Sequence, residues 1–171
     1  MKLKLVEQIV CPKCHTNFSL KIKKKQKDEI IEGVLTCHKK HNFSIIRGIP
    51  HLVSDKQKDF VTTEDAFSSK WRHFNKTYHN KKWIEEQKKW FLERFGWKSI
   101  SKLNSFLKTR SKILDAGTGV GNSAKLFSSN PNVQVFAIDA SESIEFAYKK
   151  YGKIKNIHFL QADIRKLPFK K

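Results

Sequence analysis

Residues Ile113-Leu-Asp-Ala-Gly-Thr-Gly-Val-Gly121 carry a short apolar strand, predicted at 112–115, into a glycine-rich turn that opens a helix predicted at 122–128. Glycine at 117 and 119 suits backbone that passes close to a ligand, because a side chain there would occupy the ligand's space. The spacing is Gly-x-Gly-x-Gly, with Asp115 two residues ahead of the first glycine, whereas the dinucleotide fingerprint is Gly-x-Gly-x-x-Gly. A dinucleotide seats its pyrophosphate on the helix N-terminus. A carboxylate beside the first glycine repels phosphate and favours a cation such as an amino group, so a nicotinamide-dependent oxidoreductase is disfavoured.

Downstream the apolar pattern continues as a strand at 133–139, a helix at 143–151 and a strand at 157–162. This alternation calls for a parallel sheet with crossover helices, hence an α/β fold. Val135-Phe-Ala-Ile-Asp139 ends in a carboxylate where doubly wound folds hold a ribose through its hydroxyls, which makes Asp139 the candidate ribose ligand. Ile157-His-Phe-Leu-Gln-Ala-Asp163 ends in another. Consecutive strand ends of a parallel sheet converge on one crevice, so Asp163 is expected beside the same ligand. Taken singly, the glycine run reads as a tight turn and each aspartate as a helix cap or a solvated loop residue; their order along one chain gives them joint weight.

Ile-Leu-Asp-Ala-Gly-Thr-Gly-Val-Gly, then Ala-Ile-Asp-Ala-Ser, then Gln-Ala-Asp-Ile-Arg-Lys-Leu-Pro-Phe resembles the first three strands of class I S-adenosylmethionine methyltransferases of the type-11-like kind, over roughly residues 85–171. The resemblance implies the N-terminal part of a Rossmann-like parallel sheet and S-adenosylmethionine as cofactor. It assigns the methionine portion to Asp115, Gly117 and Gly119 and the ribose to Asp139, with Thr118, Gly121 and Ala140 also expected among the cofactor-binding residues. The adenine amino group falls to Asp163, with Ile164 contacting the base. Cysteine is commonest between the first two glycines of such enzymes, and Thr118 departs from that. A complete domain of this kind continues past its third strand with a fourth beside the first, so a truncated or partial chain is expected, with an unpaired strand edge and without the acceptor-binding part. No catalytic residue can be named.

The front of the chain carries different chemistry. Cys11-Pro-Lys-Cys14 is a knuckle whose two thiolates can bind one ion, and Cys37-x-x-x-His41 supplies a second pair; four ligands close a tetrahedral site of structural type, for which zinc is the expected ion. His15 and His38 are rival fourth ligands, but each adjoins a ligand cysteine in sequence, where reaching the same ion is awkward. A metal-free thiol pair with Cys37 simply buried is the bland alternative. Short apolar runs at 18–22, 30–35 and 43–49 make residues 1–53 a small β-rich module. Cys-Pro-x-Cys-His followed by Cys-x-x-x-His-x-Phe is similar to the zinc motif at the front of ribosomal RNA guanine methyltransferases. Phe43-Ser-Ile-Ile-Arg-Gly-Ile-Pro-His-Leu-Val53 resembles the zinc-ribbon family of small methyltransferase activators.

Between the modules, 54–110 reads as a helical connector or lid. Apolar positions from Trp83 to Phe95 share one helix face, with Gly96 as its stop, and Ile100, Leu103, Phe106 and Leu107 form a second helix. Tyr78 and Trp83 are candidate lid residues, although aromatics of this kind more often pack. The cofactor domain then covers 111–171. In 171 residues, 35 Lys+Arg face 16 Asp+Glu, a formal net charge of +19. That balance suits an RNA or other anionic partner, yet it is mostly lysine spread along the chain, which also describes a solvated surface. No stretch is apolar enough to span a membrane and no signal-peptide core opens the chain, so a cytoplasmic location is expected. The reading is methyl transfer to RNA, a protein or a small molecule. The competing reading is a zinc-ribbon adaptor or activator without activity of its own.

Overall fold

The computed structural model describes residues 1–53 and 80–170. Tyr78 and the first part of the predicted connector lie outside them. After a 3-10 turn at Leu3–Gln8, four strands, β1 (Phe18–Gln26), β2 (Glu29–Cys37), β3 (Asn42–Ile46) and β4 (Ile49–Pro50), form an antiparallel sheet in chain order. The period-2 pattern of the sequence decides its faces. Gly33, Leu35 and Cys37 of β2 and Phe43 and Ile45 of β3 turn inward, while Val34 and Thr36 are half-buried and Ser44 and Ile46 exposed.

Two helices follow, α1 (Lys81–Arg94) and α2 (Ile100–Lys108). Asn80 caps α1 by accepting from the Lys82 N–H at 2.9 Å, and Ser99 caps α2 by accepting from the Lys102 N–H at 3.3 Å. Gly96, at φ 73°, stands just past the end of α1, where the sequence puts the stop. The aromatic residues of this stretch mostly pack: Phe91 meets Phe127 edge-on at 5.4 Å and Trp97 lies 5.2 Å from Phe106.

The remainder is β5 (Lys112–Ala116), α3 (Asn122–Phe127), β6 (Gln134–Asp139), α4 (Ser143–Tyr151) and β7 (Ile157–Gln161). The strands form a parallel sheet in the order β5-β6-β7, with Asp115 opposite Ala137 and Asp139 opposite Gln161. This is the mixed α/β architecture expected, a partial Rossmann-like sheet behind an antiparallel β-rich module. Sheets of this type need both faces covered, and the continuous apolar runs of β6 and β7 are buried throughout their middles. The two coverings differ in kind. Val135, Ala137, Ile157 and Phe159 pack with Leu103, Leu107, Ala124, Phe127, Ile144 and Ala147 of the helices. Phe136, Ile138, Leu160 and Ala162 instead join Leu5, Ile9, Cys11, Leu35, Cys37 and Phe43, so the β-rich module supplies the second layer.

That module also reaches the open side of β7. His51 forms a parallel bridge with Gln161, and the Leu52 N–H donates to the Gln161 carbonyl at 2.7 Å, which covers backbone groups a sheet edge would otherwise leave free. On its outer side β5 has no neighbouring strand among the described residues, and Leu114 there is 40% exposed. No helix among the described residues is long and apolar enough to cross a membrane.

Candidate cofactor and metal sites

The glycine loop is held to the neighbouring strand by its own backbone. The N–H groups of Gly117 and Thr118 both donate to the Ile138 carbonyl at 2.9 Å. The Gly119 N–H donates to Asp139 Oδ2 at 2.8 Å. Asp139 Oδ1 accepts from the Ser141 N–H at 2.9 Å and the Ser141 hydroxyl at 2.7 Å. Asp139 thus sits against the loop, with Ala140 next to it, and three of the four lone-pair positions of its carboxylate are taken by the chain itself.

A Cβ built on Gly117, at φ 77°, would meet nothing within 4 Å. The space beside the loop at this position is open, as a ligand-facing glycine requires. Gly121 differs: a Cβ there would stand 3.0 Å from the Ala147 Cβ and 3.2 Å from Tyr151, so close helix packing accounts for that glycine. Thr118 and Ser123 both donate hydroxyl hydrogen bonds to Asp115 Oδ2 at 2.6 Å, which ties the strand end to the loop and to α3. Burial raises the Asp115 carboxyl above the ordinary carboxylate range. The two hydroxyls pull it down and the nearby Asp139 charge pushes it up.

Asp163 follows Gln161, the residue opposite Asp139, and the Ala162 N–H donates to the Asp139 carbonyl at 3.0 Å, so the two strand tips adjoin. The Asp163 carboxylate is engaged by Arg165, whose Nη2 lies 2.9 Å from Oδ2 and whose Nε lies 3.0 Å from Oδ1. This guanidinium holds the Asp163 carboxyl below its usual range, against the opposing effect of burial. Ile164, next in the chain, is 54% exposed. On the far side of the loop a cleft of about 660 Å3 opens between Gly117–Val120, α3 and the Trp83, Trp90 and Phe91 face of α1. Trp83 therefore faces the glycine loop across a cavity, while Asp139 and Asp163 are not among the cleft's walls.

The four expected metal ligands converge: the donor atoms of Cys11, Cys14, Cys37 and His41 all lie within 4.8 Å of one another, in a group that includes neither His15 nor His38. Cys14 Sγ is 3.5 Å from Cys37 Sγ, and His41 Nδ1 is 3.5 Å from Cys11 Sγ and 3.4 Å from Cys37 Sγ. These edges are close to the ~3.5–3.8 Å of a tetrahedron built on ordinary zinc–sulfur and zinc–nitrogen bonds. The turns around the ligands are tight, with the His15 N–H donating to the Cys11 carbonyl and the Lys40 N–H to the Cys37 carbonyl, both at 2.8 Å. The His41 N–H points at Cys37 Sγ at 3.3 Å. The Thr16 hydroxyl, the largest influence, brings Cys14 down to about 5, while burial pushes Cys11 up to about 11. The Cys3His donor set suits zinc, and the three spacings are compatible with it, while the group as a whole spans up to 4.8 Å.

Ser123, Ser141 and Gln161 were not singled out from the sequence. Ser141 had a local signal, since a serine two positions after a strand-end aspartate forms a turn of this kind. Ser123 and Gln161 acquire their roles only when distant elements meet.

Residues 113–171 match the family described as a methyltransferase domain. A solved structure described as a SAM-dependent methyltransferase from Aquifex aeolicus is similar at 27% identity with a TM-score of 0.36, the match covering 41% of this chain and 41% of that one. No curated protein matches the chain. The family match supports the likeness to class I S-adenosylmethionine methyltransferases that the three strand-end motifs suggest.

Proposed function

We propose that the chain binds S-adenosylmethionine at the adjoining tips of β5, β6 and β7 and takes part in methyl transfer, with zinc as a structural ion in the Cys11, Cys14, Cys37, His41 site. The observation that carries this reading is the 2.8 Å bond from the Gly119 N–H to Asp139, which fixes a glycine-rich turn against a carboxylate at the end of the next strand. When bound, S-adenosylmethionine supplies a methyl group on a positively charged sulfonium. The carboxylates of Asp115 and Asp139 make the loop a place for a cation rather than a phosphate, and Gly117 leaves room for it. Methyl transfer from a sulfonium depends chiefly on holding the acceptor in line, so the protein's contribution is positional and no general base is assigned.

The acceptor is RNA, a protein or a small molecule. Trp83, Trp90, Phe91 and Tyr151 in the cleft beside the loop favour a flat one, while Lys88 there is paired with Glu85 at 3.2 Å. One observation favours the alternative, an adaptor without activity: Arg165 already occupies the carboxylate expected to receive the adenine amino group. Equilibrium dialysis of the zinc-loaded chain against S-adenosylmethionine and against NAD distinguishes the readings. Retention of S-adenosylmethionine alone is expected. Retention of neither selects the adaptor, and retention of NAD alone rejects both. Metal analysis should return one zinc per chain.

A further inference from the structure

The segment from Ala162 to Pro168, which carries Asp163 and Ile164, is gripped at both ends by the β-rich module. At its start the Leu52 N–H donates to the Gln161 carbonyl at 2.7 Å. At its end the Val10 N–H donates to the Pro168 carbonyl at 2.9 Å, and Ile9 bridges Phe169 in antiparallel fashion. Val10 immediately precedes Cys11, one of the four converging ligands, and Cys11 is fully buried. Phe169 packs edge-on against Phe136 at 5.3 Å, in the same cluster that holds Cys11, Cys37, Ile138 and Leu160. A short loop with fixed ends has few conformations left, whereas one released at either end regains backbone freedom that ordering must again overcome.

We propose that Val10 and Leu52 are positioning residues of the cofactor site, and that an ion in the Cys11, Cys14, Cys37, His41 cluster orders the loop bearing Asp163 and thereby tightens S-adenosylmethionine binding. The ion acts through the backbone: it sets the first knuckle, the knuckle sets Val10, and Val10 holds Pro168. The part concerning the cofactor rests on the function proposed above; the part concerning the loop does not.

Hydrogen exchange and calorimetric titration on the full chain test the two parts separately. Stripping zinc with a chelator should raise amide exchange across 162–169 at least fivefold and weaken S-adenosylmethionine binding by a similar factor, and adding zinc alone should restore both. Phe169→Ala leaves every metal ligand in place. In the zinc-loaded protein it should likewise raise exchange across 162–168 and weaken cofactor binding, with zinc affinity unchanged. If chelation unfolds the whole chain, Cys14→Ser, which removes one ligand, takes its place in the metal arm, with raised exchange across 162–168 expected and unchanged exchange overturning the ion's role. The grip of the module on the loop is decided by Phe169→Ala. Unchanged exchange across 162–168 in that variant overturns the proposal, as does unchanged exchange after zinc removal from a chain that stays folded. If the zinc-loaded protein binds no S-adenosylmethionine, the function proposed above fails while the exchange data still decide whether the metal orders the loop.

Discussion

Asp139 does two things at once: it anchors the glycine loop through Gly119 and accepts two hydrogen bonds from Ser141. Asp139→Ala removes the acceptor for the Gly119 N–H as well as a charge, and hydrogen bonds to charged groups contribute about 1.5–3 kcal/mol. S-adenosylmethionine affinity, measured by calorimetry, is expected to fall roughly tenfold or more; Ser141→Ala, which leaves the loop contact intact, should cost less. His158 makes a second prediction. It stacks on Phe136 at 5.1 Å, its Nε2 lies 2.8 Å from Gln134 Oε1, and its buried Nδ1 has no partner among the described residues. Burial, reinforced by the charges of Lys2 and the N-terminal amine, lowers the imidazole from 6.5 to about 4. The folded chain therefore resists a proton that the unfolded chain accepts. The stability this group contributes is complete above pH 6.5 and is lost as pH falls toward 4, roughly 1–2 kcal/mol of it by pH 5. Urea midpoints at pH 7 and pH 5 should diverge for the native chain and diverge less for His158→Gln; equal losses would put the acid sensitivity elsewhere.

Among the elements, α4 links the two halves. Its inner face packs Ile144 and Ala147 beneath the parallel sheet, while the Tyr148 hydroxyl donates to Glu29 of β2 at 2.7 Å. Burial and the Glu29 carboxylate both raise the Tyr148 phenol above its usual value, so it stays a donor at any physiological pH. Tyr148→Phe leaves that carboxylate short of a partner in a partly buried place and should lower unfolding stability by about 1–2 kcal/mol. The ion pair of Arg47 with Glu145 nearby has its arginine side chain 76% exposed, so Arg47→Ala should change stability by less than about 1 kcal/mol. Chemical denaturation of the two variants checks the order; a larger loss for Arg47→Ala would contradict it.

For the whole molecule the decisive feature is that the β-rich module and the parallel sheet share one core, in which Cys11, Leu35 and Phe43 meet Phe136, Ile138 and Leu160. Metal removal should therefore be felt far from the ligands. All four tryptophans lie outside residues 1–53, so their fluorescence reports on the other half. A chelator is expected to lower the melting midpoint seen by tryptophan together with that seen by circular dichroism. A tryptophan midpoint that stays put while the strands of the module melt would show two independent units instead. Much of this was legible in one dimension. The alternation of apolar runs, the glycine spacing after Ile113, the strand-end aspartates and the two ligand pairs are local patterns, and local patterns follow from backbone periodicity and ligand chemistry. Why Gly121 carries no side chain, that the module forms a layer of the parallel sheet, and that Val10 and Leu52 grip the loop beyond β7 were not legible. Each depends on contacts between residues far apart in the chain, which exist only once the two sheets have packed and excluded water between them.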